Sequence, residues 1–231
     1  RFGALCLAYA ATGMALVVID GNPSGSADTS IEAGDTAGTG TYSATLGEGA
    51  WYVHIRACDN AGNCAAGVAE DGFWGIDTSA PSAPGAITSP SHDPAGTAFS
   101  DSTVDVAWGA ASDTFSGVAS YTYAFDGNPT GGCAGSSTAS LSATSGALTD
   151  GSWYVHVCAV DYAGNSGATV HGGPYVIDTA GPTGLVVSST SHTVSTWSND
   201  SSVDFSFSGA TDANGVAGYA IAFDQAATTV P

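Results

Sequence analysis

The chain has no lysine. Its only residues with permanent positive charge are Arg1 and Arg56, against 21 aspartates and glutamates, a formal net charge of −19 over 231 residues. A nucleic-acid binder needs a basic face to displace counterions from phosphates. Two arginines cannot build one, so nucleic acid is excluded as a partner. Docking on anionic lipid is disfavoured for the same reason unless a divalent cation intervenes. Glutamate is scarce too: Glu32, Glu48 and Glu70 are the only three, and the remaining acid is aspartate. With one methionine and 32 glycines, the composition is poor material for helices and points to an all-β chain.

Long hydrophobic runs are also missing. The longest uncharged stretch of apolar character, ALCLAYAATGMALVVI at 4–19, falls short of the about 20 residues that cross a bilayer, so no membrane insertion is expected. It reads either as the apolar region of a signal peptide behind Arg1 or as a strand, and the repeat described next favours the strand. No GxSxG, HExxH or P-loop pattern occurs, and no enzymatic activity is expected.

What the chain does have is a hydrophobic content of 43% with 10% aromatics, enough for packed cores, and an internal repeat. GAWYVHIRACDNAGN at 49–63 matches GSWYVHVCAVDYAGN at 151–165. IDTSAP at 76–81 matches IDTAGP at 177–182. SPSH at 89–92, continuing to STVDVAWGAASD, matches STSH at 189–192, continuing to SSVDFSFSGATD. Each pair lies about 100 residues apart, and a fixed period of this kind identifies a repeat architecture. Residues 107–129 also align without gaps on 1–23, sharing the GNP tripeptide. The sequence therefore predicts the latter part of one unit at 1–78, a whole unit at 79–179 and the first half of a third at 180–231. Half units leave cores open and call for neighbouring repeats or a homo-oligomer.

Within a unit the pattern is strand. Trp153, Val155, Val157 and Ala159 alternate with Tyr154, His156, Cys158 and Val160, the period of two that separates a buried from an outward side. Trp51, Val53, Ile55 and Ala57 do the same. DNAGN and DYAGN supply hairpin turns, and 104–108 and 121–125 supply further strands. The alternation places His156 and Cys158 together on the outer face, where a surface role is expected of them and of His54 rather than a nucleophile–base pair. About seven short strands per 100 residues predict a β-sandwich.

Five cysteines in a chain rich in Gly, Ser and Thr read as disulfides of an oxidising compartment, hence an extracellular or cell-surface location. Cys58 and Cys64 flank the DNAGN turn at a spacing that a disulfide can clamp. Cys133 and Cys158 can link a loop to the strand after Trp153. Cys6 remains, as a buried thiol or a bond to another subunit.

LTDGSWYVHVCAVDYAGN followed by YVIDTAGPTG resembles the end of one bacterial Ig-like or fibronectin type III-like module and the start of the next, as in giant extracellular repeat proteins. The resemblance implies tandem Ig-like or fibronectin type III-like β-sandwiches, with Trp51 and Trp153 packed near a tight corner where family members often carry Tyr. It also implies calcium at DTxxP-type junctions, at Asp77 and Asp178. Asp59 and Asp161, which open the hairpin turns, are further candidate calcium ligands by their oxygen chemistry, although no dense DxDxDG loop occurs. Asn199-Asp200-Ser201 is an N-glycosylation sequon.

The expected function is structural: the shaft of a surface filament, appendage or long adhesin, with junctions restricted by Pro81, Pro84 and Pro182. One alternative is a glycan- or receptor-binding module presenting Trp74, Trp108, Tyr162 or Trp197. Another is an accessory domain of a secreted hydrolase.

Overall fold

The computed structural model describes residues 15–20, 45–57, 63, 65, 66 and 69–226. Every element in them is a strand. The strands are β1 (Ala15–Asp20), β2 (Gly49–Ala57), β3 (Ala69–Ile76), β4 (Ala98–Phe99), β5 (Asp105–Ala107), β6 (Val118–Asp126), β7 (Ser136–Thr138), β8 (Ser142–Thr144), β9 (Gly151–Asp161), β10 (Val170–Ile177), β11 (Val186–Ser189) and β12 (Phe205–Ser208). The fold class is all-β. No helix among the described residues is long and apolar enough to cross a membrane, and the part of 4–19 that is described is strand β1.

Among the described residues four sheets form: β1-β2-β3, β4-β10-β9-β6-β7, β5-β8 and β11-β12. All pairings are antiparallel except β4 with β10. The eleven residues of β9 form the spine of the five-stranded sheet, between β6 and β10. Opposite β9, strand β10 bulges between Gly172 and Tyr175. Gly173 there has φ +114°, and a Cβ would meet the Trp153 carbonyl oxygen at 2.8 Å, so only glycine fits.

The core lies between this sheet and the β5-β8 pair. Val104, Val106 and Trp108 on one side meet Tyr121, Val155, Val157, Ala159, Tyr175 and Ile177 on the other, all buried. These are the inward positions of the period-two pattern, and each buried aliphatic side chain contributes about 1.5–3 kcal/mol by leaving water. The outward positions of β9 behave differently from the sequence expectation. His156 and Cys158 are buried, at 0% and 1% exposure, as is His54 in β2 at 1%. The outer face of β9 is covered, because the chain after β6 folds back over it. Cys133 reaches Cys158 in a disulfide with a Cα–Cα distance of 5.8 Å, and Gly131 packs so closely that a Cβ there would crowd Asp126 and His156.

The repeat extends to individual hydrogen bonds. His92 Nδ1 bonds Ser91 Oγ at 2.9 Å and Nε2 bonds the Asp101 carbonyl at 3.1 Å. His192 makes the same pair with Ser191 at 3.0 Å and Asp200 at 3.1 Å. Ser89 Oγ and Ser189 Oγ each accept from the following histidine N–H and donate to the Asp105 or Asp204 carbonyl. A carbonyl only accepts, so Nε2 carries the proton and Nδ1 accepts from the serine. The SxSH block is therefore a structural corner that ties a loop to the start of the next strand.

Trp108 is 5% exposed and its indole N–H has no partner. The repeat places Phe2 and Phe207 at the matching positions. In Trp108→Phe, relief of an orphaned donor worth about 1–3 kcal/mol offsets a cavity cost of about 1–2 kcal/mol. Urea denaturation should show stability changed by no more than about 1 kcal/mol, and a loss of 3 or more would refute this balance.

Candidate functional site

Three carboxylates meet where the segment after β3 reaches the whole repeat unit. Asp77 follows β3, Asp113 lies in the loop between β5 and β6, and Asp161 ends β9. Each offers an oxygen within 4.8 Å of the other two. The local chain dictates their aim. Asp161 begins the DYAGN turn, where Asn165 donates its backbone N–H to Oδ1 at 2.8 Å and its Nδ2 to Oδ2 at 2.7 Å. The same Asn165 Nδ2 reaches the Asp77 carbonyl at 3.2 Å, so one amide ties the junction to the turn. Asp113 Oδ1 accepts from the N–H groups of Phe115 and Gly117, and Asp77 accepts from Ser79 N at 3.0 Å and Ser116 N at 3.0 Å.

Asp161 is 3% exposed while Asp77 and Asp113 are half-buried. The Ser116 hydroxyl stops short of full hydrogen-bond geometry with any partner but faces Asp77, and it is the main influence holding that carboxyl below its ordinary value, with backbone N–H donors adding to it. Three carboxylates at this distance repel one another, and the chain has no lysine to place among them. The donor set is all oxygen. Oxygens bound to one calcium ion lie up to about 5 Å apart, so Asp77, Asp113 and Asp161 fit that ion by chemistry and span.

The sequence assigned Asp77 to the junction and Asp161 to a turn as separate candidates, and the structure brings them together. It adds Asp113, whose only signal was its place in the recurring GAASD and GATD blocks. Asp178 does not join them. It accepts from Asn214 Nδ2 at 2.7 Å, while Asn214 N donates to Asp212 Oδ1 at 2.9 Å, so Asn214 links the junction Asp to the counterpart of Asp113. Asp59 lies outside the described residues.

The junction has a second carboxylate that sequence reasoning missed. Glu48 Oε1 accepts from Thr78 N and Oγ1 and from Ser79 Oγ, at 3.2, 2.7 and 2.7 Å. Asp150 Oδ1 accepts from Thr179 N and Oγ1 at 2.9 and 2.7 Å. Both acids sit in the LGEG and LTDG corners, and the tryptophan just beyond each corner donates its indole N–H back into it: Trp51 to the Gly47 carbonyl at 2.7 Å and Trp153 to the Thr149 carbonyl at 2.9 Å. The available signal was an acid at the same place in both corners.

On the covered face of β9, His156 Nε2 donates to Asp126 Oδ1 at 3.0 Å and Nδ1 lies 2.7 Å from Nδ1 of His171. One proton fits between two imidazole nitrogens, so His171 donates to His156 when both are neutral. Cys158 Sγ is bonded to Cys133 and lies 3.1 Å from Thr122 Oγ1, which leaves no thiol for a nucleophile there. Cys6, Cys58 and Cys64 lie outside the described residues, and with them the clamp across the DNAGN turn. Asn199 is in an exposed loop. Of the aromatic platforms, Trp108 is core, whereas Trp74, Tyr162 and Trp197 are 50%, 75% and 101% exposed.

Asp126 and Asp101, each held chiefly by a backbone N–H, share the lowered pKa of Asp77. So do Asp150, held chiefly by Thr179 N–H, and Glu48, held chiefly by the Ser79 hydroxyl. A carboxyl whose folded value is depressed adds stability that is complete above its unfolded value, here 3.8 for aspartate, and lost as pH falls through the folded one. The melting temperature should therefore be flat above about pH 5 and fall steadily below pH 4, and a melting temperature that rose on acidification would contradict the assignment. No protein-family model matches the chain, and no curated protein matches it.

Proposed function

We propose that the chain is a length of a structural extracellular shaft, built from repeats of about 100 residues in an Ig-like or fibronectin type III-like manner, with calcium at the junction where Asp77, Asp113 and Asp161 converge. The observation that carries this reading is the stitching of the two junctions by the same bonds. Glu48 with Thr78 recurs as Asp150 with Thr179. Ser82 N to the Ser112 carbonyl recurs as Thr183 N to the Thr211 carbonyl. A connection hydrogen-bonded to the units on both sides resists bending, which suits a load-bearing spacer and is needless for a flexible linker. The Cys133–Cys158 disulfide accords with an oxidising compartment. A net charge of −19 keeps such rods soluble and apart.

Asp77, Asp113 and Asp161 would hold the ion, which supplies positive charge where three carboxylates converge and so ties the segment after β3 to β9 and to the β5–β6 loop. A glycan- or receptor-binding role is the second reading. It is favoured by the full exposure of Trp197, since solvent-facing indoles are stacking platforms for sugars.

Calcium at about a hundred times its Kd should stabilise the chain by about 2.7 kcal/mol, seen as a rise in melting temperature that EGTA reverses and Asp113→Ala removes. No response to EGTA would remove calcium from the reading. The shaft itself is tested by small-angle scattering of the full chain: one extended, rigid particle is expected, and a profile averaged over a freely bending junction would overturn it. Retention on a glycan array, abolished by Trp197→Ala, would favour the second reading.

A further inference from the structure

On the covered face of β9 two imidazoles aim the same ring atom at each other. His156 of β9 and His171 of β10 are cross-strand partners. Their rings meet edge to face with centroids 4.9 Å apart, and their Nδ1 atoms are 2.7 Å apart. Neither ring takes part in the carboxylate cluster at Asp77, Asp113 and Asp161.

The tautomer of His156 is fixed from behind. Its Nε2 donates to Asp126 Oδ1 at 3.0 Å, so the lone pair of that ring sits on Nδ1 and faces His171. Imidazole ligands of metals are held in this way, with the far N–H given to a carboxylate that orients the ring and raises its basicity. The support is rigid on this side. His156 is 0% exposed, and Gly131 packs so closely that a Cβ there would come within 2.6 Å of Nε2. The Cys133–Cys158 disulfide ties the same loop to β9 two residues further on. His171 is exposed, so its ring is free to turn and admit an ion.

The repeat shows that the fold does not demand a second imidazole. In β2 and β3 the cross-strand partner of His54 is Glu70, at the positions that His156 and His171 hold in β9 and β10. An acid serves for strand pairing there, so the histidine at 171 answers to another requirement.

We propose that His156 Nδ1 and His171 Nδ1 form a binding site for one divalent transition-metal ion that favours imidazole, copper(II) or zinc, with Asp126 as the carboxylate that positions His156. Two nitrogens bound to one zinc ion at about 2.0–2.1 Å lie about 3 Å apart. The pair therefore opens by a fraction of an ångström, which rotation of the exposed His171 ring supplies. His171 then carries its single ring proton on Nε2 instead of Nδ1, and both nitrogens facing the ion hold lone pairs. Calcium is excluded by donor type, because a hard cation takes oxygen ligands. This site and the carboxylate cluster thus select different ions. Asp126 offsets part of the ion's charge, and a chain of net charge −19 draws cations toward it. The inference goes beyond the shaft reading and stands without it, since it needs only β6, β9 and β10 of the whole repeat unit.

The test is titration of the full chain with copper(II) and, separately, with zinc, in saturating calcium so that oxygen sites are filled. Calorimetry should show a site that binds copper more tightly than zinc. The electron paramagnetic resonance spectrum of the copper form should carry splitting from two imidazole nitrogens. Asp126→Asn keeps both ligands and should weaken binding about tenfold with the nitrogen count unchanged. His171→Ala removes a ligand, so it should weaken binding more than Asp126→Asn does and abolish the two-nitrogen signal. His171→Gln carries the same comparison if the alanine variant loses its near-ultraviolet circular dichroism. A wild type that takes up neither ion, a His171 variant that binds copper like the wild type, or a copper spectrum with oxygen donors alone would each overturn the proposal.

Discussion

A chain with 21 carboxylates and two arginines cannot stabilise its acids by ion pairing, and the fold is organised around the substitute. Backbone N–H groups and hydroxyls take the place of cations. Asp77, Asp101, Asp113, Asp126, Asp178, Asp200, Asp212 and Asp224 each accept from the backbone N–H two residues on. That Asx turn holds the carboxylate in place and directs the chain out of a strand in one step. Because charge-assisted bonds of this kind are stronger than neutral ones, the acid that makes the protein a polyanion also shapes its loops.

The same economy operates at the corners. LGEG and LTDG give their carbonyl to a tryptophan and their acid to the threonine that follows a junction aspartate. One four-residue element therefore fixes the start of a core strand and the exit of the connecting segment together. The packing of Trp153 against the core and the direction of the connection after Ile177 are coupled, so a change at Asp150 should be felt by both. Where three of these aspartates converge, at Asp77, Asp113 and Asp161, negative charge accumulates even though each accepts from N–H donors, and this is the place where a small cation would do most.

The second layer over β9 shows what local pattern does not encode. His156 and Cys158 alternate with the core residues as outward positions should, yet both are buried. Their cover is supplied by Asp126, His171 and the loop carrying Cys133, which lie 30, 15 and 25 residues away in the chain. A strand buried on both faces still reads as alternating when one of its buried faces is filled by histidine and cystine instead of aliphatic side chains.

The repeat, the all-β class, the positions of β5, β6 and β9, the Cys133–Cys158 pairing and the DYAGN turn were all legible in the residues, because each rests on short-range chemistry: alternation, turn propensity and the geometry of near neighbours. Asp77 and Asp161 were legible as candidates for the same reason. Their meeting with Asp113 was not, nor were the roles of Glu48 and Asp150, nor the burial of His156. These depend on which loops a sheet order of β4-β10-β9-β6-β7 brings to one end, and strand order is set by the packing of the whole core, which no local window contains. Sequence alone determined that this protein is a strongly acidic, strand-forming repeat. Only the tertiary structure decided where three of its carboxylates converge and that β9 is buried on both faces, since convergence and burial are properties of chain segments far apart in sequence.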